Sequence, residues 1–597
     1  MEHQGTSSNR RLVAALLLAC AALLGCRSGS HEMARPVTLR AVSASAPCAS
    51  VAWSPELIAA TAAQSEQLIA AADDLDRRQD EQCVDLYYQA ALQSARVMTG
   101  TDGSDSAAWQ AYHLALAGLI DAAQRYGRLD PRKQLAVHDG GPRLVPIRYF
   151  GFAWRPADFS RLESAVAHES SDISRRYATP GLGMPLVGVR VADKPGELFF
   201  RPQQPFAVTA VLRPAGNGDP NSSGVDPGGS VLELYNSHVF DALSWSGSTQ
   251  ALARDLTAPY AAAESESPRQ YLRGFTAPSD TSVQPKLIMV EPYQRGKIPV
   301  VFIHGLYSDP ITWVDTANDL MAESDIYERY QFWVFRYPTG SGVMDSAAKL
   351  RDRLRLARKY YDPDQTDAAL GQMMLVGHSL GGLIAKMQVV TSYDLMWNQI
   401  ADQPFSQVQA GPQMEMRLAR DFYFEPVSLV TSVVFIGTPH QGSNLSRRLA
   451  GRIGSSLVSN DPQEEAQYRQ LMEDNADVFK PSVSRSRPTS VDLLEPTSPL
   501  LLGLQQTPYN PGVRLHSIIG TGGSTVLREP GDGVVAVSSA RICGVESELL
   551  VPAKHEKLHR DPASIAELAR ILRLHANRQP VAMQAQGRLE RAPAPRK

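Results

Sequence analysis

Hydrophobic positions along the chain change their rhythm twice, and each rhythm predicts a different kind of element. From about Pro55 to Arg128 the apolar residues recur at helical spacing. Trp109, Tyr112, Leu116, Leu119 and Ala123 fall on one face, and the alanine-rich stretch from Leu57 to Ala72 favours helix by propensity. A helix-like segment from Asp85 shows no second copy at a repeat period, so a plain helical bundle is expected. From 145 to about 275 the pattern is strand-like: Leu186-Val-Gly-Val-Arg-Val, Phe206-Ala-Val-Thr-Ala-Val-Leu and Val231-Leu-Glu-Leu-Tyr. A Gly/Pro/Asn/Ser-rich loop, Gly216 to Gly229, separates the last two. These strands either form a small β-rich unit or extend the sheet that follows.

After Pro285 the rhythm becomes a regular alternation of strands and helices. Continuous apolar strands are expected at Pro299–Ile303, Phe332–Phe335, Met373–Val376, Ser432–Ile436 and Leu515–Ile519. Between the second and third lies a helix carrying Leu350, Leu354, Ala357 and Tyr361 on one face. Strands buried on both faces and alternating with helices imply a mostly parallel sheet, with ligands at its C-terminal edge. The organisation expected is a leader at 1–25, a tether at 26–54, a helical region at 55–144, a β-rich unit at 145–283, a βα-alternating domain at 284–576 and a disordered tail at 577–597.

A length of 597 residues asks for two or three units, and 43% hydrophobic with 20% charged residues is ordinary globular composition. The formal charge of −3 removes any electrostatic case for nucleic acid. Arg10-Arg11 followed by an apolar run to Gly25 reads as an export signal. Its end, Leu23-Leu-Gly-Cys26, resembles the lipobox of bacterial lipoproteins, which implies lipidation at Cys26 and anchoring to an envelope membrane, expected to be the outer one. A plain secretory signal is the other reading. Of the five cysteines, Cys48 and Cys83 could pair in an oxidising compartment, which would leave Cys543 free. No Cys/His spacing suggests a metal site, and no cofactor is expected.

The chemistry concentrates at Gly377-His-Ser-Leu-Gly-Gly382. An apolar strand precedes it, and Leu383, Ile384, Met387 and Val390 continue it at helical spacing. A Gly-x-Ser-x-Gly between strand and helix is a nucleophile elbow, a turn so tight that only glycines fit beside the serine. It lifts the Ser379 hydroxyl clear of the sheet and places the Leu380 N–H at a helix N-terminus, where it can face a developing oxyanion.

With Val300-Val-Phe-Ile-His-Gly-Leu306 and Ile436-Gly-Thr-Pro-His-Gln-Gly-Ser443, the elbow gives three motifs in order, and 286–574 resembles the α/β-hydrolase superfamily, specifically lipase-like serine esterases. The resemblance implies an α/β-hydrolase fold with cap insertions, preceded by the helical region and the β-rich unit. It implies an oxyanion donor at Leu306, supported by His304 and Gly305, with Gly377 and Gly381 supporting the elbow. It implies an acid at Asp532, in Gly-Asp-Gly-Val-Val, with Glu529 as fallback. For the base, two histidines compete on the loop before the last helix. His555 is preferred for its nearness to the strand end, and His559 is the alternative. His378 and His440 are expected to pack or hydrogen-bond within their turns.

Segments 392–430 and 444–512 interrupt the core beside the elbow and suit an apolar cap. The activity expected is hydrolysis of carboxylic esters, of small-molecule or lipid type, through a Ser-His-Asp triad. Thioesterase, phospholipase and acyltransferase activity on the same triad, or an envelope scaffold on a degenerate fold, are the alternatives.

Overall fold

The computed structural model describes residues 54–577, except 102–104, 193–196, 216–228, 266–270, 281–282, 444–461, 482 and 484–488. The leader with Cys26, the tether with Cys48, the loop expected from Gly216 and all but the first residue of the tail therefore lie outside the described residues. Among the described residues no helix is long and apolar enough to cross a membrane. The chain divides into two compact units. One takes residues up to 269 with Ile288–Pro292 and Ala317–Ser324; the other takes Gln270–Leu287, Tyr293–Thr316 and the rest from Asp325.

Among the described residues the first unit opens with three helices, α1 Pro55–Arg77, α2 Cys83–Gly100 and α3 Ser106–Arg125. Side chains start two of them. Ser54 accepts from the Leu57 N–H at the head of α1, and Asp105 accepts from the Ala108 N–H at 2.7 Å ahead of α3. Gly118 lets α3 approach α2, because a Cβ there would lie 2.5 Å from the Tyr87 ring. Cys83 begins α2 and is buried.

Seven strands follow: β1 Leu129–Asp130, β2 Gln134–His138, β3 Pro142–Phe150, β4 Arg161–Ser164, β5 Met184–Val191, β6 Gln203–Pro214 and β7 Ser230–Tyr235. They form one sheet in the order β1-β2-β3-β7-β6-β5-β4, with β3 and β7 parallel and the remaining neighbours antiparallel. The stretches read separately as helical region and β-rich unit share one hydrophobic core, in which Tyr88, Leu116 and Leu119 meet Leu186, Val208 and Leu232. Val187 and Val189 point to the opposite face, into a second cluster with Ala258 and Ala262. Buried tyrosines join helices to sheet. The Tyr88 hydroxyl lies 2.9 Å from Ser230 Oγ, and the Tyr112 hydroxyl accepts the Leu212 N–H at 2.9 Å. The strands thus make their own sheet and do not extend the one that follows.

That second sheet also has seven strands: β8 Lys286–Met289, β9 Ile298–Ile303, β10 Tyr330–Arg336, β11 Met373–His378, β12 Val430–Ile436, β13 Arg514–Gly520 and β14 Ser547–Val551. Their order is β8-β10-β9-β11-β12-β13-β14, and every pairing from β10 across to β14 is parallel. All six residues of β9 and of β11 are buried, so both faces of the central strands are covered. The helices that matter here are α4 Val343–Tyr361, α5 Leu380–Lys386, α6 Pro412–Phe422, α7 Pro462–Asp474, α8 Pro499–Gln506 and α9 Pro562–Ala576. The two insertions carry α6, and α7 with α8, and they pack on each other. Trp397, Ile400 and Ala401 of the first share a cluster with Leu471, Val478 and Phe479 of the second. The Asn475 side chain clasps Gln409, accepting its N–H at 2.6 Å and donating to its carbonyl at 2.9 Å.

Candidate active site

Strand β11 ends at His378 and α5 begins at Leu380, so a single residue makes the turn. Ser379 sits at φ 55°, ψ −124°, a conformation that costs an L-residue about 1–3 kcal/mol. Crowding around it accounts for the glycines. A Cβ on Gly377 would lie 2.6 Å from the Gly381 oxygen, and one on Gly381 would strike the Ile303 carbonyl at the end of β9. The turn is pinned by the Ser379 N–H, which donates to Ile436 of β12 at 2.9 Å.

The structure brings Ser379, His555 and Asp532 together from three different strand ends. His555 Nε2 lies 2.9 Å from Ser379 Oγ, and its Nδ1 lies 2.7 Å from Asp532 Oδ2. A carboxylate oxygen only accepts, so Nδ1 carries the proton and Nε2 is free to receive the serine's. Asp532 is buried, and its other oxygen accepts the N–H groups of Val534 at 2.9 Å and Val535 at 2.7 Å. These bonds close the Asp-Gly-x-Val turn and leave one oxygen for the imidazole. The His555 N–H donates to the Asp532 carbonyl at 3.0 Å, tying the two loops by their backbones as well. Glu529, the fallback acid, is exposed.

His559 is placed elsewhere. Its Nε2 lies 3.0 Å from the Thr312 carbonyl and 2.8 Å from Thr312 Oγ1, and its own carbonyl accepts from Thr316 Oγ1 at 2.9 Å. His378 donates from Nε2 to the His555 carbonyl at 3.0 Å. Its ring lies between the other two, with centroids 4.8 Å from His555 and 4.5 Å from His559. His304 stacks on Tyr337 at 4.4 Å, and the Tyr337 hydroxyl donates to the His304 carbonyl at 2.7 Å. Burial holds these rings neutral, pushing His304 down to about 4, His559 to about 3, and both His378 and His440 well below the ordinary histidine range.

The backbone donors expected at Leu306 and Leu380 belong to the two segments that meet at Ser379. Leu380 is the first residue of α5, so its N–H has no acceptor within the helix. Gly305 approaches Ser379 closely, since a Cβ on it would lie 3.0 Å from that of Ser379, and Leu306 follows directly. Tyr307 then turns the chain sharply at φ 54°, and Leu306 and Tyr307 pack on Phe275 and Val491. Sequence reasoning missed Thr312, Thr316 and Tyr337. Their motif-free surroundings gave no sign of contact with the histidines. Among the described residues no group of His, Cys, Asp and Glu could hold a metal ion.

No family model matches the chain, and no curated protein matches it. Solved structures with some likeness include lipases and esterases. The mature lipase BlEst2 from Bacillus licheniformis is 16% identical, covering 48% of this chain and 97% of its own, at a TM-score of 0.29. Esterase B from Lactobacillus rhamnosis, in a phosphonate-inhibited form, is 13% identical over 49% of this chain and 80% of its own, at 0.28. The metagenomic carboxyl esterase MGS0156 is 16% identical over 47% and 77%, at 0.25. Scores this low decide neither family nor activity, and what the site can do must be read from its own geometry.

Proposed function

We propose that the chain is a serine hydrolase of the α/β-hydrolase kind, cleaving carboxylic esters through an acyl-enzyme. The observation that carries this is the unbroken relay from Ser379 Oγ to His555 to Asp532, at 2.9 and 2.7 Å, on a serine held in a strained turn. His555 takes the Ser379 proton as the oxygen attacks the acyl carbonyl. Asp532 holds the Nδ1–H tautomer and stabilises the imidazolium. The N–H groups of Leu306 and Leu380 receive the oxyanion, each such donor being worth about 3 kcal/mol in the transition state. His555 then returns the proton to the leaving alcohol, and water activated by the same ring releases the acid. The apolar group of Phe275, Tyr307 and Val491 beside Leu306 favours an acyl chain over a charged substituent.

A serine-directed fluorophosphonate tests the reading. It should label the wild-type protein and leave Ser379→Ala unlabelled, with ester turnover falling about 10⁶-fold in the variant. A folded wild-type protein that neither labels nor turns over esters would return the chain to the scaffold reading. The same proposal places the enzyme on an envelope membrane through lipid at Cys26, supported by the Leu23-Leu-Gly-Cys26 sequence behind an apolar run. Recovery of Cys26→Ser in the membrane fraction, as in the wild type, would overturn that part.

A further inference from the structure

Two buried histidines beside the triad have no part in proton transfer, yet their hydrogen bonds fix both their tautomers and their neighbours. A backbone carbonyl only accepts, so His378 must carry its proton on Nε2 to reach the His555 carbonyl, and His559 must do the same to reach Thr312. In each ring Nδ1 is then a bare lone pair, and both Nδ1 atoms are buried without a hydrogen-bond partner. A buried polar atom left in this state costs about 1–3 kcal/mol. A phenylalanine or leucine would fill the space without that cost, so packing alone does not account for histidine at both places.

What the rings join is specific. Thr312 and Thr316 lie on the segment that continues from the His304–Leu306 turn, and they grip His559 at Nε2 and at its carbonyl. His559 is four residues beyond the base. Its ring packs, tilted, against His378, which holds the carbonyl of the base and packs against its ring in the same way. Trp313 meets His559 edge-on, ring centre to ring centre 5.3 Å. A continuous contact therefore runs from the oxyanion side of the site, through His559 and His378, to His555.

We infer that His559 is a positioning residue, which with His378 fixes the segment bearing the base against the segment bearing the oxyanion donor. The base and the donor come from strands β14 and β9, which are not neighbours in the sheet, so the sheet alone does not set their separation. A misplacement of about 1 Å between reacting groups can cost on the order of 100-fold in rate, so a brace between the two segments acts on turnover and leaves binding largely untouched.

The inference rests on the serine-hydrolase reading for its kinetic arm only. His559→Leu should lower kcat about 10- to 100-fold with KM held within about 2-fold. His559→Gln, whose amide can still donate to the Thr312 carbonyl, should recover most of the loss. An arm independent of turnover reads the His555 Nδ1 proton, which in its short bond to Asp532 should give a far-downfield proton NMR signal. That signal should broaden or disappear in His559→Leu and return in His559→Gln. An unchanged kcat and signal in His559→Leu, a change in KM alone, or a glutamine variant no better than leucine would each overturn the inference. If His559→Leu does not fold, Thr316→Val removes only the bond to the His559 carbonyl. It should lower kcat about 3- to 10-fold and weaken the signal, and no change in either would count against the brace. A wild-type protein that shows the signal but no turnover would sink the hydrolase reading and leave the brace to be judged on the signal.

Discussion

Two sets of buried polar groups, one in each unit, are handled in opposite ways. In the first, the Tyr112 hydroxyl both accepts from the Leu212 N–H and donates to its carbonyl, and the half-buried Gln124 amide does the same for Leu162, accepting its N–H at 2.7 Å. These side chains finish the hydrogen bonding of the backbone they touch. Around Ser379 the pattern reverses. His378 and His559 each keep a buried nitrogen without a partner, His440 keeps two, and the serine itself sits at φ 55°. Strain and bare lone pairs gather at one edge of the second sheet, where they weigh against stability.

The largest effect should come from removing the strain and the nucleophile at once. Ser379→Gly accepts the same backbone angles without a side-chain clash, so melting should show a gain of about 1 kcal/mol while ester turnover drops by 10⁴-fold or more. A loss of stability would mean that the turn is not strained in the way its angles imply.

Acid should weigh next on the histidine-rich edge of the second sheet. His304 and His559 are held down to about 4 and 3, with His378 and His440 also low, against an ordinary value of about 6.5 in the unfolded chain. Above that value the rings are neutral in both states, and the stability is fully present. As pH falls below it, the unfolded chain binds protons that the folded chain refuses. Stability should therefore decline between about pH 6.5 and 4, by up to about 1.4 kcal/mol per pH unit for each histidine. Melting temperatures measured at fixed ionic strength across this range check it, and a flat profile would contradict neutral burial.

The smallest expected effect on turnover lies in the first unit. Tyr112→Phe strands the Leu212 N–H in the core, which should cost about 1–3 kcal/mol and leave kcat/KM unchanged well below the melting temperature. A change in kcat/KM there would blur the division between a structural and a functional core.

Legibility in the sequence followed the range of the forces involved. The elbow could be read because its cause is local: Gly377 and Gly381 are there for clashes within a few residues of Ser379 and at the adjoining strand end. Asp532 could be singled out because the glycine after it marks the turn that its own carboxylate closes on Val534 and Val535. The choice between His555 and His559 was another matter. Both sit on one short loop, and what separates them in space is the hold of Thr312 and Thr316, more than two hundred residues earlier. The same limit applies to the first unit. Helical spacing marks Tyr88 and Tyr112 as facing inward, but not that they face the strands carrying Ser230 and Leu212. Periodicity says that a face is covered and is silent about what covers it.

The clasp between the two insertions has a consequence for how such a protein can change over generations. Trp397, Phe479 and their neighbours form a small core of their own, closed by Asn475 and Gln409, with none of the residues that position Ser379, His555 or Asp532 in it. Substitutions there can reshape the two insertions while the reacting groups keep their registration. On the hydrolase reading proposed above, selectivity can therefore drift or be re-engineered one piece at a time, with the reaction itself inherited intact.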